Sequence, residues 1–170
     1  MSSFQEIAPD DFLISPFRLI GRDWMLIAAE KGGRTNAMTA SWGGLGVMWG
    51  KNVAYIVIRP QRFTKEFVDA GESFSLNFFG PDFRKQLNYF GTVSGRDEDK
   101  VAKTDLDVQH EAGAPYFAQA ATVMVCRKLF AQPYLAESFI DQKCDTDWYP
   151  AKDYHTLYIG EVVKILGRNQ

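Results

Sequence analysis

An antiparallel sheet closed or nearly closed into a barrel, with a few short helices laid against it, is the architecture this sequence predicts. Three observations carry that expectation. A two-glycine turn, Lys31-Gly-Gly-Arg34, joins two stretches that read as strands. The segment Ser73-Phe-Ser-Leu-Asn-Phe-Phe79 alternates apolar and polar residues, and two long strand-like runs, Ala120 to Gln132 and Tyr154 to Leu166, fill the C-terminal half. Strands joined by hairpins, with only short helical patterns between them, place the chain in the mainly β or α+β class.

Trp24-Met-Leu-Ile-Ala-Ala29 opens the first hairpin. Gly32 and Gly33 supply the positive φ values of its turn, so residues 35 to 42 return antiparallel. Gly43-Gly-Leu-Gly46 and Gly50-Lys-Asn52 then punctuate the chain before Val53-Ala-Tyr-Ile-Val-Ile58, whose β-branched and aromatic residues suit a central strand that Pro60 ends. Phe63, Phe67 and Ala70 recur at helical spacing, predicting a short helix over one barrel end, with Gly71 placed to end it in the left-handed conformation. In the next strand Phe74, Leu76 and Phe78 share one face and Ser73, Ser75 and Asn77 the other, which predicts a half-buried element. Pro81-Asp82 starts a second helix that buries Phe83, Leu87 and Phe90 and closes at Gly91. Ser94-Gly-Arg-Asp97 is a turn, and Asp97-Glu-Asp99 reads as the acidic first turn of a helix. Pro133 to Pro150 is mixed and carries no assignment; strand order is not readable from these patterns.

A chain of 170 residues, 46% of them hydrophobic, can bury a substantial core, so residues 1 to 170 are expected to form one domain. Basic and acidic residues number 19 and 21, with no Lys/Arg cluster longer than a pair, which leaves no electrostatic footprint for nucleic acid or an anionic membrane. The apolar runs are strand-sized, and the N-terminus lacks a basic segment followed by an apolar one, so a cytoplasmic protein is expected. Cys126, Cys144, His110 and His155 show no metal-ligand spacing, and Cys126 in its apolar run reads as a small buried hydrophobe.

Two segments carry chemistry. Asn36-Ala-Met-Thr-Ala-Ser-Trp42 combines hydroxyls, small residues that admit a ligand to the backbone, and an indole. Arg59-Pro-Gln-Arg-Phe-Thr64 sets two guanidinium groups and a hydroxyl within six positions, a set suited to gripping a phosphate by charge-assisted hydrogen bonds. Together they point to a planar, phosphate-bearing cofactor. Gly43-Gly-Leu-Gly46 lacks the following Lys-Ser/Thr of a phosphate loop, and no Gly-x-Gly-x-x-Gly opens a helix, so a pyridine nucleotide would bind without a Rossmann unit.

These two segments, with Phe74-Ser-Leu-Asn-Phe-Phe79, Ser94-Gly-Arg-Asp-Glu-Asp-Lys100 and Tyr154-His-Thr-Leu-Tyr-Ile-Gly-Glu-Val162, resemble the flavin reductase-like family in its flavoredoxin branch, from about Trp24 onward. The resemblance implies an FMN-binding split β-barrel, a homodimer with FMN at or near the subunit interface, and reduction of flavin by NADPH or NADH. It assigns Asn36, Met38, Thr39, Ala40, Ser41 and Trp42 to the FMN-contacting strand, and Arg59, Arg62, Phe63 and Thr64 to the grip on phosphate and ribityl chain. It places Asn77, Phe78 and Phe79 on the adjacent strand, and Ser94, Gly95, Arg96 and Lys100 in a loop and helix start that close over the flavin. His155 is the candidate catalytic residue; many short flavin reductases carry an Asp-His pair there, whereas here Tyr154 separates Asp153 from His155. The implied activity is NAD(P)H:flavin oxidoreductase, the alternative a flavoredoxin-like carrier that holds FMN without oxidising NAD(P)H itself.

Overall fold

Over residues 3–168, which the computed structural model describes, the chain forms strands β1 (Phe4–Glu6), β2 (Met25–Lys31), β3 (Arg34–Ala40), β4 (Gly43–Met48), β5 (Lys51–Ile58), β6 (Ser73–Phe78), β7 (Val108–Glu111), β8 (Ala114–Phe117), β9 (Thr122–Pro133) and β10 (Thr156–Arg168). Four short helices accompany them: α1 (Pro16–Arg18), α2 (Thr64–Ala70), α3 (Arg84–Thr92) and α4 (Gln142–Trp148). The predicted hairpin forms as its glycines require. Gly32 and Gly33 adopt φ of 59° and 75°, and β2 registers against β3 from Lys31 opposite Arg34 to Met25 opposite Ala40.

The main sheet runs β3-β2-β6-β9-β10-β5-β4, antiparallel throughout, with β1 paired to β10. Its two ends are consecutive in the chain. Among the described residues β3 and β4 do not pair with each other, so the barrel is split at the Ser41-Trp42 corner. β4 is the stretch of glycines that punctuation alone would make a loop. A Cβ on Gly43 would lie 2.4 Å from the Tyr55 carbonyl oxygen and one on Gly46 2.3 Å from the Tyr55 hydroxyl, so these positions let β4 lie flat against β5.

The sheet is buried on both faces. Met25, Ile27, Phe74, Leu76 and Phe78 belong to the main core, whereas Leu26, Ala28, Val123 and Val125 pack with Leu87 and Phe90 of α3 and Phe117 of β8 in a second one. That second layer corrects the reading of β6. Ser75 and Asn77 are fully buried, because the β7–β8 hairpin lies over the face they share. Ser75 donates to the Pro115 carbonyl; Asn77 Nδ2 donates to Leu26 O at 3.2 Å and Ser75 Oγ at 2.8 Å, and its Oδ1 accepts from Phe117 N at 2.9 Å. Alternation shows which residues share a face, not whether another layer covers it.

Three smaller expectations also change. Gly71 ends α2 in an extended conformation (φ −93°, ψ 165°), because the chain turns straight into β6. Gly91 lies inside α3, which runs on to Thr92. Residues 94–105 form turns and not a helix: Asp99 Oδ1 accepts from the backbone N–H of Val101 and of Ala102, and this local bonding replaces a helical ladder. Among the described residues no helix is long and apolar enough to cross a membrane. Cys126 is fully buried in the main core, and burial pushes its thiol upward.

Candidate functional site

A groove runs along the split of the barrel. One end is a cavity of about 200 Å³ formed by the end of β3 from Met38 through Ala40, the Ser41-Trp42 corner, Val57 and Arg59 at the end of β5, Trp148 and His155. The other is a cavity of about 120 Å³ between Gln61–Thr64 and the 91–95 segment, with Lys100 in its wall. Arg62 borders both. Neither alone reaches the roughly 300 Å³ of a typical small-molecule site, and Arg62 stands between them.

The smaller cavity is cationic. Lys100 is only 3% exposed; its Nζ donates to the Phe90 carbonyl at 3.1 Å and lies 5.1 Å from the Phe90 ring centre. Arg62 donates to Gly91 O at 3.2 Å and Phe90 O at 3.4 Å. Among the described residues no carboxylate pairs with either side chain. Burial, and then the charge of Arg62, pushes the Lys100 ammonium down to about 8, and burial lowers Arg62 as well. A buried ammonium and a half-buried guanidinium, bonded within the protein to carbonyl oxygens, leave charge that an anion would neutralise. Thr64, also buried, accepts from Asn36 Nδ2 at 2.9 Å and keeps its own proton to donate.

The larger cavity is aromatic. Trp42 meets Trp148 edge-on at 4.8 Å between ring centres and His155 at 5.3 Å. The Tyr149 hydroxyl lies 2.7 Å from His155 Nδ1. Burial, then Arg59, lowers His155 to about 4 against the opposing pull of Asp153, so the imidazole is neutral near pH 7. Asp153 does not pair with His155; it accepts from Arg59 Nη1 at 2.6 Å and Gln61 Nε2 at 2.8 Å, while Arg59 Nη2 donates to Trp148 O at 2.8 Å. α4 brings Trp148 here. Asp141 caps its N-terminus by accepting from Lys143 N at 3.0 Å, and Asp145 braces the following turn through Lys152 and the Tyr154 hydroxyl.

Residues 17–170 match the family model described as the flavin reductase like domain. The chain belongs to that family. Solved structures of similar fold include flavoredoxin from Methanosarcina acetivorans, 19% identical over 98% of this chain and 77% of that one, with a TM-score of 0.69. An FMN-binding protein from Thermus thermophilus with bound p-hydroxybenzaldehyde is 21% identical over 99% of this chain and 83% of that one, TM-score 0.67. An NADH:FAD oxidoreductase from Streptomyces globisporus in complex with NAD and FAD fragments is 18% identical over 86% and 74% of the two chains, TM-score 0.64. At these identities the likeness is one of fold. No curated protein matches the chain.

On this flavin reductase-like scaffold the groove gathers Met38, Thr39, Ala40, Ser41, Trp42, Arg59, Arg62, Phe63, Thr64, Ser94, Gly95, Lys100 and His155. Other candidates lie elsewhere. Asn36 sits behind the groove, where it orients Thr64. Arg96 points outward, bonded to Glu66 at 2.6 Å and Gln61 O at 2.9 Å. Asn77 is enclosed with its amide satisfied by the protein, and Phe78 and Phe79 are core residues that border a separate cavity of about 850 Å³ near Arg18 and Arg84. Residues that share a segment with site residues therefore need not share their surface. Trp148 and Gln61 are among the groove residues that sequence reasoning missed, with Val57 and residues 91–93; Trp148 was missed because residues 133–150 show no clear period, and Asp141 two residues before the Lys143 N–H it caps was the available signal.

Proposed function

We propose that this chain is an FMN-binding oxidoreductase that passes hydride or electrons between reduced nicotinamide, NADPH or NADH, and flavin. The observation that carries this reading is a pair of cations without carboxylate partners, the buried Lys100 and the half-buried Arg62, at one end of a groove whose other end is aromatic. Arg62 and Lys100 would hold the phosphate with the Thr64 and Ser94 hydroxyls beside it, and Met38 to Trp42 would receive the ring. Bound there, FMN would supply the redox chemistry. The chain's own residues bind, orient and shield. Ala40 keeps the backbone approachable, and neutral His155 offers a hydrogen bond to a ring or carboxamide without carrying charge.

The aromatic wall of Trp42 and Trp148 beside the ring cavity favours one second reading, a flavoredoxin-like carrier with no room for a nicotinamide. Adding NADPH or NADH to the anaerobic holoprotein separates the two, since bleaching marks the reductase and its absence the carrier. A homodimer in the cytoplasm fits either reading. The reading itself rests on colour: purified protein that is yellow or takes up added FMN supports it, with Arg62→Ala weakening FMN by about tenfold or more. Colourless protein that takes up no FMN ends it.

A further inference from the structure

Arg59 differs from Arg62 and Lys100 in being paired with a carboxylate. Its Nη1 lies 2.6 Å from Asp153, its Nη2 donates to Trp148 O at 2.8 Å, and its guanidinium carbon lies 4.9 Å from the Tyr149 ring centre. The Trp148 carbonyl belongs to the last residue of α4, where a helix leaves backbone acceptors without partners and a cation is favourable. Among the described residues, this is the one hydrogen bond from residues 136–149 to any residue before 133. Tyr149 and Asp145 bond within the 145–155 stretch, and reach β5 only through His155 and the start of β10. Arg59, which follows β5, makes the direct bond.

We propose that Arg59 is a positioning residue and not a ligand of the cofactor phosphate: it pins the Trp148 end of α4 to β5, so that the Trp148 indole stands as the wall receiving a flat ring. The inference rests on the flavin reading above but assigns Arg59 a part that reading does not use. A phosphate ligand distinguishes FMN from riboflavin, which lacks the phosphate; a residue that builds the ring wall acts on both alike. Arg59 would have to abandon a carboxylate, a carbonyl and an aromatic face together to reach a phosphate.

The test compares wild-type protein with Arg59→Ala, Arg59→Lys and Arg62→Ala by titrating flavin-free protein with FMN and with riboflavin, and by backbone hydrogen exchange. In Arg59→Ala, exchange across 142–149 is expected to rise severalfold, with the preference for FMN over riboflavin held within about twofold. Lysine keeps one of the two bonds at most, so Arg59→Lys should fall between. Arg62→Ala should cut the FMN preference by about tenfold or more. Unchanged exchange in 142–149, or loss of the FMN preference in Arg59→Ala, overturns the proposal. If Arg59→Ala does not fold, Arg59→Lys, which keeps at most one of the two bonds, is read the same way. Should the wild-type protein bind neither flavin, the flavin reading fails, while the exchange result still decides whether Arg59 is the pin.

Discussion

Lys100 is a cation held where the protein alone gives it little reason to be charged. Burial and the neighbouring Arg62 bring it down to about 8, whereas in the unfolded chain it keeps its ordinary value of 10.5. Below pH 8 folding therefore carries a penalty for burying the ammonium, a penalty that fades as pH rises from about 8 towards 10.5. Replacing it by an apolar side chain of similar length removes the penalty. Lys100→Met is expected to raise urea stability of the flavin-free protein by about 1–3 kcal/mol at pH 7 while weakening FMN about tenfold. Because a phosphate monoester is mostly dianionic above about pH 6, wild-type FMN affinity should fall as pH rises through about 8, and Lys100→Met should lose that dependence. His155 has a consequence of the same sign in a lower pH window. Its native value of about 4 lies below the unfolded 6.5, so the unfolded chain takes up a proton that the native one refuses. The stability it contributes is whole above pH 6.5 and is lost as pH falls towards 4. In His155→Gln that acid slope should flatten between those limits, as denaturation midpoints across the range would show.

The elements with local causes were legible. Gly32-Gly33 fixed a hairpin, the spacing of Phe63, Phe67 and Ala70 fixed α2, and long alternating runs fixed β9 and β10 to within a few residues. What could not be read was what lies over each element. The β7–β8 hairpin has four residues a side, too short for a period, yet it decides that Ser75 and Asn77 are core and not surface. In the site, the Met38–Trp42 and Arg62–Thr64 segments were legible because small, hydroxyl and cationic side chains lie close in sequence, while Trp148 came from a helix whose place depends on distant Arg59. β6 therefore offers a prediction that separates structure from binding. Asn77→Ala leaves Phe117 N–H and Leu26 O without side-chain partners inside the protein. It should cost about 3 kcal/mol in urea or thermal unfolding, and leave FMN affinity unchanged at a temperature where the variant is folded. A large loss of FMN affinity with little loss of stability would instead return Asn77 to the binding site.

At the scale of the whole molecule, part of the apolar surface left exposed lies beside the groove. Leu13 and Phe17 are each 91% exposed. Phe17, with Pro16, Ile20 and Leu45, lines a depression of about 460 Å³ that shares Ser41 and Trp42 with the ring cavity. An apolar rim continuous with a ligand site is unusual to leave in water, and a second copy of the chain meeting this one across the rim would cover it while walling the groove. Coverage of that kind couples assembly to cofactor retention: whatever binds only the dimer stabilises the dimer, and by reciprocity the dimer holds it more tightly. Sedimentation at micromolar concentration should therefore find a dimer. The Phe17→Asp variant, which puts a carboxylate into the rim without touching Arg62 or Lys100, should shift it towards monomer and weaken FMN together, by several-fold or more at protein concentrations below the new dissociation constant. A wild-type protein that sediments as a monomer, or a charged variant that stays dimeric with FMN affinity intact, would separate the rim from the groove and leave each subunit's cavity to hold its flavin alone.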